Sequence, residues 1–314
     1  MSALAEKQKP FFFLIDFELE DPIVCPIDKA LELGFYFKIK KFKNFKPKFM
    51  DHKPMNLSID PFPKSLYSKA YKKVIEEIHQ GNTFLLNLTF PSKIKTRISF
   101  EHLFHVAKAP YKLRYKDHFV IYSPECFIKI INGYIYSYPM KGTIDANLHD
   151  AKKTLINNAK EINEHNTIVD LIRNDLSKVA KEVQVTRFRY MDKIKTQKNE
   201  ILHTSSEIRG KLFKGWEKQL PEILLNMLPA GSICGAPKEK TVSIIREVEY
   251  EKRGYYTGIF GFFDGENLDS AVNIRYLEKH QGHVRYRSGG GITSLSNLES
   301  EYNELIEKIY VPLV

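Results

Sequence analysis

The stretch that decides the fold reads Ser123-Pro124-Glu125-Cys126-Phe127-Ile128-Lys129-Ile130-Ile131-Asn132-Gly133-Tyr134-Ile135-Tyr136-Ser137-Tyr138-Pro139-Met140-Lys141-Gly142-Thr143. Its middle, 126–138, is a run of β-branched and aromatic residues broken by Asn132-Gly133. An Asn-Gly pair between two such runs specifies a hairpin, because both residues accept the positive φ of a type I′ turn. If Ile131 faces Tyr134, counting back along the ladder puts Glu125 opposite Met140, one position from Lys141. A carboxylate and an amine then share one edge of the sheet, roughly 5–8 Å apart by cross-strand geometry. Pro124 and Pro139 end regular pairing at that edge. Such a pair can act as nucleophile and general acid. It can equally be an exposed ion pair at a strand end, worth little, and the hairpin alone favours that plainer reading.

Outward from the hairpin, 314 residues with 43% hydrophobic and 27% charged content describe an ordinary globular chain with ample core. Lys and Arg number 48 against 38 Asp and Glu, a net charge of +10. That excess suits nucleic acid, anionic lipid or a small anionic substrate. The basic residues are dispersed apart from 38–48, so no stripe fits a phosphate backbone and nucleic-acid binding is not expected. Cys25, Cys126 and Cys234 match no metal spacing, which suits a reduced, cytoplasmic protein. The apolar run 11–15 is too short to span a membrane, and no membrane association is expected.

Strands are expected at 11–18 and 33–40, with Lys38-Ile39-Lys40-Lys41-Phe42-Lys43 as a solvated edge. A polar, Pro-rich connector is expected over 46–63, and a helix over 65–80 closed by Gly81. Residues 82–90 read as a strand, 99–108 as a short helix and 118–122 as the lead into the hairpin. The longest helical pattern is 149–180, followed by strands at 183–190 and 200–210. Residues 220–228 are helical, 229–237 form a small-residue loop, and Pro237 suits the first position of a helix to about 249. Strands at 255–263, 270–277 and 284–288 follow, then Gly289-Gly290-Gly291 as a loop entering a last helix near 297–310. Meandering strands punctuated by single helices argue for an α+β fold with large antiparallel sheets.

Several constellations carry chemistry. Gly-rich segments before helices, 231–237 and 289–291, present backbone N–H groups suited to anions. Neither matches a nucleotide fingerprint. Glu161 with Glu164, and Glu301 with Glu304, place carboxylates at i, i+3 on helices. Facing each other across a cleft, they would make an oxygen-only site for a hard ion such as Mg²⁺; alone, each is a solvated helix face. His203 sits in a strand pattern, where a hydrogen-bonded half-buried histidine is the commoner outcome. Arg275, in a β-rich run, needs a partner, for which a carboxylate is the geometric match.

Ordered blocks from about residue 65 to the C-terminus resemble the chorismate-binding enzymes, namely anthranilate synthase component I, aminodeoxychorismate synthase component I, isochorismate synthase and salicylate synthase. The blocks are Ser123-Pro124-Glu125, Pro139-Met140-Lys141-Gly142-Thr143, Lys160-Glu161-Ile162-Asn163-Glu164-His165 and Ile168-Val169-Asp170-Leu171-Ile172-Arg173-Asn174-Asp175-Leu176. After them come Gly231-Ser232-Ile233-Cys234-Gly235-Ala236-Pro237-Lys238, Arg253-Gly254-Tyr255-Tyr256, Asn273-Ile274-Arg275, Gly289-Gly290-Gly291-Ile292 and Glu299-Ser300-Glu301-Tyr302-Asn303-Glu304.

The resemblance implies two α/β subdomains whose mostly antiparallel sheets pack as a sandwich with helices outside. It divides the chain into 1–64, shortened N-terminal strands and linker within the same fold, and 65–314, the chorismate-binding catalytic domain. Lys at the centre of the Pro-Met-Lys-Gly-Thr motif is the aminodeoxychorismate synthase residue, where anthranilate synthases usually have Ala. Lys141 is thereby implied to attack C2 of chorismate as the C4 hydroxyl leaves, with ammonia then adding at C4 and expelling the amine. Such a lysine must be neutral, so a lowered pKa is expected. Glu125 matches the general acid, and His203 an active-site histidine. Ser232, Tyr256, Arg275, Thr143 and the amides of Gly289, Gly290 and Gly291 match substrate contacts, and Glu161, Glu164, Glu301 and Glu304 the Mg²⁺ shell.

Leu85 stands where the isochorismate-forming enzymes use a lysine base, which argues against water addition. Aminating members usually carry Gln there, and Met140 and Tyr138 also depart from the usual residues. Aminating members are longer at the N-terminus, where they bind tryptophan, so no such site is expected here. A glutamine amidotransferase subunit is implied as the source of ammonia. The resulting expectation is chorismate amination to 4-amino-4-deoxychorismate for 4-aminobenzoate and folate synthesis, with anthranilate synthase and then isochorismate or salicylate synthase as alternatives.

Overall fold

The computed structural model describes residues 1–50, 57–195 and 200–313; within these, the side chains of Lys141, Thr143, Ala159, Lys160, Ile194, Lys195 and Ile201 lie outside the description. Among the described residues, two nine-stranded antiparallel sheets form the frame, with helices around them. The α+β sandwich expected from the sequence is the architecture observed.

In the first sheet, Cys126–Ile131 and Tyr134–Ser137 form the hairpin, with Tyr134 opposite Ile131 and positive φ at Asn132 and Gly133. The ladder ends at the Lys129–Tyr136 pair. Beyond Pro139 the chain runs as Met140–Asp145 along the strand Glu200–Lys211, with Met140 opposite Ser205. Glu125 therefore does not face Met140 across a ladder, because Pro139 breaks the strand before the pairing reaches them. Tyr134–Ser137 and Met140–Asp145 share one edge of Glu200–Lys211, and Lys181–Lys195 takes the other. On the far side of Cys126–Ile131 come Leu268–Val272, Ile259–Phe263, Phe11–Ile15 and Ile23–Pro26.

The second sheet runs Gly235–Ala236, Leu85–Lys95, His283–Ile292, Tyr276–His280, Phe119–Ser123, Tyr111–Tyr115, Phe35–Ile39, Phe42–Lys43, with Ser58–Asp60 also on Leu85–Lys95. Gly289, Gly290 and Gly291 lie inside the strand His283–Ile292, opposite Thr89, Leu88 and Asn87, and are not the expected loop. Lacking side chains, they let another element press on the strand. The helical pattern 149–180 is two helices, Ala151–Asn157 and Ala159–Ser177, parted at Asn158, whose side chain caps the second by accepting from the Glu161 N–H at 3.2 Å. Within 229–237, Gly231–Cys234 is a helical turn and Pro237 is the N-cap of Lys238–Val248. Tyr111–Tyr115 is a strand the pattern did not show, and the expected connector 46–63 contains Ser58–Asp60, its residues 51–56 lying outside the described ones.

Phe11–Ile15 is buried on both faces, which explains an unbroken apolar run in an antiparallel sheet. Phe12 and Leu14 meet Phe35, Phe37, Tyr111 and Leu113 between the sheets, whereas Phe11, Phe13 and Ile15 join the core under the helices. That core holds Ile168, Ile172 and Leu176 of Ala159–Ser177, Ile244, Ile245 and Val248 of Lys238–Val248, and Leu305 of the last helix, Leu298–Glu307. At its centre sits Arg253, 2% exposed. Its Nη2 and Nε donate to Glu249 at 2.6 and 2.8 Å. Glu249→Gln leaves that guanidinium buried without its charge partner. Urea denaturation is expected to show a loss of about 3–5 kcal/mol; a loss under ~1 kcal/mol would show that the pair does not organise the core.

Candidate active site

Three groups of predicted site residues emerge. The first joins Glu125 to Ser232. Glu125 follows Pro124, just before the strand Cys126–Ile131, and Ser232 is the second residue of the helical turn Gly231–Cys234. The Ser232 hydroxyl donates to Glu125 Oε1 at 2.5 Å, a charge-assisted geometry. The turn is held from beneath. Asn87 Nδ2 donates to the Ser232 carbonyl at 3.1 Å, and Arg253 donates to the carbonyls of Ile233 at 3.0 Å and Asn87 at 2.7 Å. Glu125, Ser232, Tyr138, Pro139, Met227 and Asp175 line a small recess. Asp175, 2% exposed, meets Lys238 at 2.5 Å and Lys178 at 3.0 Å, so its charge is neutralised inside the wall.

The second group follows the hairpin. Lys141 lies opposite Thr204, and Thr143 opposite His203, with a bulge at Gly142, φ 76°. A side chain at Gly142 would meet Glu161 Oε2 at 3.0 Å, so glycine is what lets that carboxylate press on the strand. The motif thereby sits beside Glu161 and His203, while the side chains of Lys141 and Thr143, and the expected pKa of Lys141, lie outside the described parts. His203 is 5% exposed, its Nδ1 lacks a hydrogen-bond partner among the described residues, and burial pushes its pKa down against the opposing Asp192 carboxylate. The ring is therefore neutral near pH 7.

The third group lies on the second sheet. Gly290 is the floor: a Cβ there would meet Glu304 Oε1 at 3.1 Å and Glu301 Oε2 at 3.4 Å. Glu301, 3% exposed, accepts from the Ser296 hydroxyl at 2.7 Å through its other oxygen, and Lys308 pairs with Glu304 Oε1 at 2.5 Å. Lys308 also donates to the Gly289 carbonyl at 2.8 Å. Arg275 is not within a strand but at φ 55° between Leu268–Val272 and Tyr276–His280. Its partner is not a carboxylate: Nη1 donates to the Lys308 carbonyl at 2.7 Å and the guanidinium stacks on Tyr310. Tyr256 is 4% exposed, and burial pushes its hydroxyl up to about 12 against the pull of Arg253, Arg287 and Arg275.

Two observations bear on the implied Mg²⁺. Two carboxylate oxygens converge where a glycine leaves room, and the Tyr67 hydroxyl beside them is buried with no hydrogen-bond partner among the described residues, its ionisation opposed by burial and by Glu301 and Glu304. Such a cradle fits a hard cation with water in its shell. Glu161 stands on another helix, Ala159–Ser177, over Gly142, with Glu164 three residues further along that helix. Among the described residues no three His, Cys, Asp or Glu side chains form a ready-made metal cluster. Asn87, Arg253, Lys308 and Tyr67 also shape these groups, and no motif chemistry in the sequence marks them. The i, i+4 spacings Glu249–Arg253 and Glu304–Lys308 were the available signals.

Residues 32–314 match the family model described as chorismate binding enzyme. A Pasteurella multocida protein described as PabA-like and uncharacterized is 55% identical over 98% of this chain and 95% of its own length. Aminodeoxychorismate synthase component 1 of Salmonella typhimurium is 32% identical over 77% of this chain and 56% of its own. Anthranilate synthase component 1 3 of Haloarcula marismortui is also 32% identical, over 77% of this chain and 50% of its own. The menaquinone-specific isochorismate synthase of Escherichia coli superposes with TM-score 0.75 at 14% identity, over 98% of this chain and 78% of its own, which establishes likeness of fold. With the family model matching nearly the whole chain, this protein belongs to the chorismate-binding enzyme family.

Proposed function

We propose that the chain is the chorismate-aminating component of an aminodeoxychorismate synthase, converting chorismate and ammonia to 4-amino-4-deoxychorismate, the precursor of 4-aminobenzoate and folate. The observation that carries this reading is Lys141 at the centre of Pro139-Met140-Lys141-Gly142-Thr143, because relatives named for amination and for anthranilate synthesis are equally identical, at 32%. The Lys141 amine attacks C2, the ring double bonds shift, and the C4 oxygen leaves as water with a proton from Glu125. Ammonia then adds at C4 and the lysine amine departs from C2. Ser232, donating to Glu125 Oε1, keeps that carboxyl turned towards the recess. Tyr256 and Arg275 are read as contacts to the substrate carboxylates, with the amides of Gly289 and Gly291, and His203 as a neutral hydrogen-bonding group. Glu301, Glu304, Glu161 and Glu164 would hold Mg²⁺, which when bound neutralises the ring carboxylate. A component II amidotransferase is read as the ammonia source, in keeping with relatives named component 1. Free Cys25, Cys126 and Cys234 suit a reducing cytoplasm, and among the described residues no helix is long and apolar enough to cross a membrane.

Incubation with chorismate, ammonium and Mg²⁺ is expected to yield 4-amino-4-deoxychorismate by mass spectrometry; anthranilate and pyruvate as the main products would overturn the assignment. Lys141→Ala is expected to abolish that product, and an unchanged yield would remove the covalent role. Glu125→Gln is expected to lower kcat by about 10²–10⁴-fold with little change in KM, the signature of a lost general acid. Glu301→Ala is expected to weaken Mg²⁺ binding in calorimetric titration, and wild-type affinity would take it out of the shell.

A further inference from the structure

We propose that Tyr310, on the strap 308–313 that follows the last helix, is a positioning residue for Arg275: its ring holds the guanidinium in place so that the remaining donors can take a substrate carboxylate. The proposal rests on reading Arg275 as a contact to such a carboxylate, but not on which product is formed.

Arg275 is set apart by its backbone. At φ 55° it sits in the left-handed region between two strands, an uncommon place for a residue with a Cβ. Its carbonyl accepts from the Tyr122 N–H at 3.2 Å, which ties the bend to the strand Phe119–Ser123. A guanidinium carries five N–H donors. Among the described residues only Nη1 is engaged, with the Lys308 carbonyl at 2.7 Å. The Tyr310 ring, its centroid 4.4 Å from the guanidinium carbon, adds an attraction that consumes no donor.

The strap is pinned on both sides of that ring. Ile309 and Val311, 6% and 4% exposed, enter the core with Phe104, Tyr122 and Tyr286, whereas Tyr310 between them is 45% exposed. Extended chain produces this alternation. The Tyr286 hydroxyl donates to the Tyr310 carbonyl at 3.1 Å, and the Lys108 N–H to the Pro312 carbonyl at 2.8 Å. The backbone of residue 310 is therefore fixed from the core side, and its ring is turned outwards against the guanidinium. A long cationic side chain left free would lose rotamer freedom whenever a ligand arrived. One already held against a ring loses less, so the ring favours binding and leaves the chemical step alone.

Chorismate is titrated by calorimetry, and its consumption with ammonium and Mg²⁺ gives KM and kcat. Tyr310→Leu is expected to weaken binding and raise KM about fivefold, the size of one cation–π contact, with kcat changed less than about twofold. Tyr310→Phe keeps the ring and is expected to match the unchanged chain within about twofold. In an Arg275→Gln chain, whose kcat/KM stays measurable when binding is weak, adding Tyr310→Leu is expected to cost less than about twofold. Tyr310→Met is expected to repeat the Leu readings and serves if that variant melts early. Unchanged affinity of the Leu and Met variants overturns the proposal, as does a Phe variant as weak as they are, a loss confined to kcat, or an undiminished loss beside Arg275→Gln. Arg275→Gln binding as tightly as the unchanged chain would overturn the carboxylate reading of Arg275 and the proposal with it. A different reaction product with the expected affinities would overturn the functional assignment and leave the role of Tyr310 standing.

Discussion

A guanidinium with no access to water underlies the arrangement. Arg253 satisfies its donors with both oxygens of Glu249 and with the carbonyls of Ile233 and Asn87, while Glu249 also takes the N–H and hydroxyl of Thr89 at 2.9 Å. A charge so buried is tolerated only when every donor is met. The strand Leu85–Lys95, the helix Lys238–Val248 and the turn Gly231–Cys234 must therefore keep their relative positions. Ser232 inherits its place from this lock, and through Ser232 so does the carboxyl of Glu125.

Glycine provides the second constraint, by letting carboxylates touch backbone. Gly142 on one sheet and Gly290 on the other stand under Glu161 and under Glu301 with Glu304. A methyl group at either place would stand 3.0–3.1 Å from a carboxylate oxygen, close enough that the carboxylate would have to give by a few tenths of an ångström. In both groups the helix is pressed onto a strand that lacks a side chain at the point of contact. The charges brought in this way are offset locally, by Lys308 at Glu304 and by Ser296 at Glu301. Anion-seeking groups stand nearby: Arg275 is bound to the carbonyl of Lys308, and its charge and those of Arg253 and Arg287 act on Tyr256. The net charge of +10 finds one local expression here.

The aromatic interior between the sheets keeps these groups in register. Phe12, Phe35 and Phe37 pack with ring centroids 4.7–5.0 Å apart, and the Tyr111 hydroxyl of one sheet donates to Asp269 of the other at 2.9 Å. Such contacts favour specific ring orientations and resist sliding. Strands near the N-terminus, Phe11–Ile15 and Phe35–Ile39, are interior members of the two sheets and part of the frame that carries the site.

Local chemistry was legible in the sequence. The Asn132-Gly133 hairpin with Ile131 facing Tyr134, the helix closed by Gly81, the last helix and the large antiparallel sheets follow from turn preferences and periodicity, which act over a few residues; the packing of the sheets as a sandwich followed from the family resemblance. The motif residues, and through them the family, were equally plain. Hidden from the sequence was everything set by contact between distant segments. Pro139 ends a ladder that counting extended to Met140; Gly289–Gly291 is strand because Asn87–Thr89 lies beside it; Arg275 meets the carbonyl of Lys308, 33 residues on, in place of a carboxylate. Asn87, Tyr67 and Lys308 acquire meaning only from neighbours that the chain brings round. Sequence determined which local shapes and chemical groups were available; tertiary packing decided which of them meet, because burial forces each polar group to a partner that may lie anywhere along the chain.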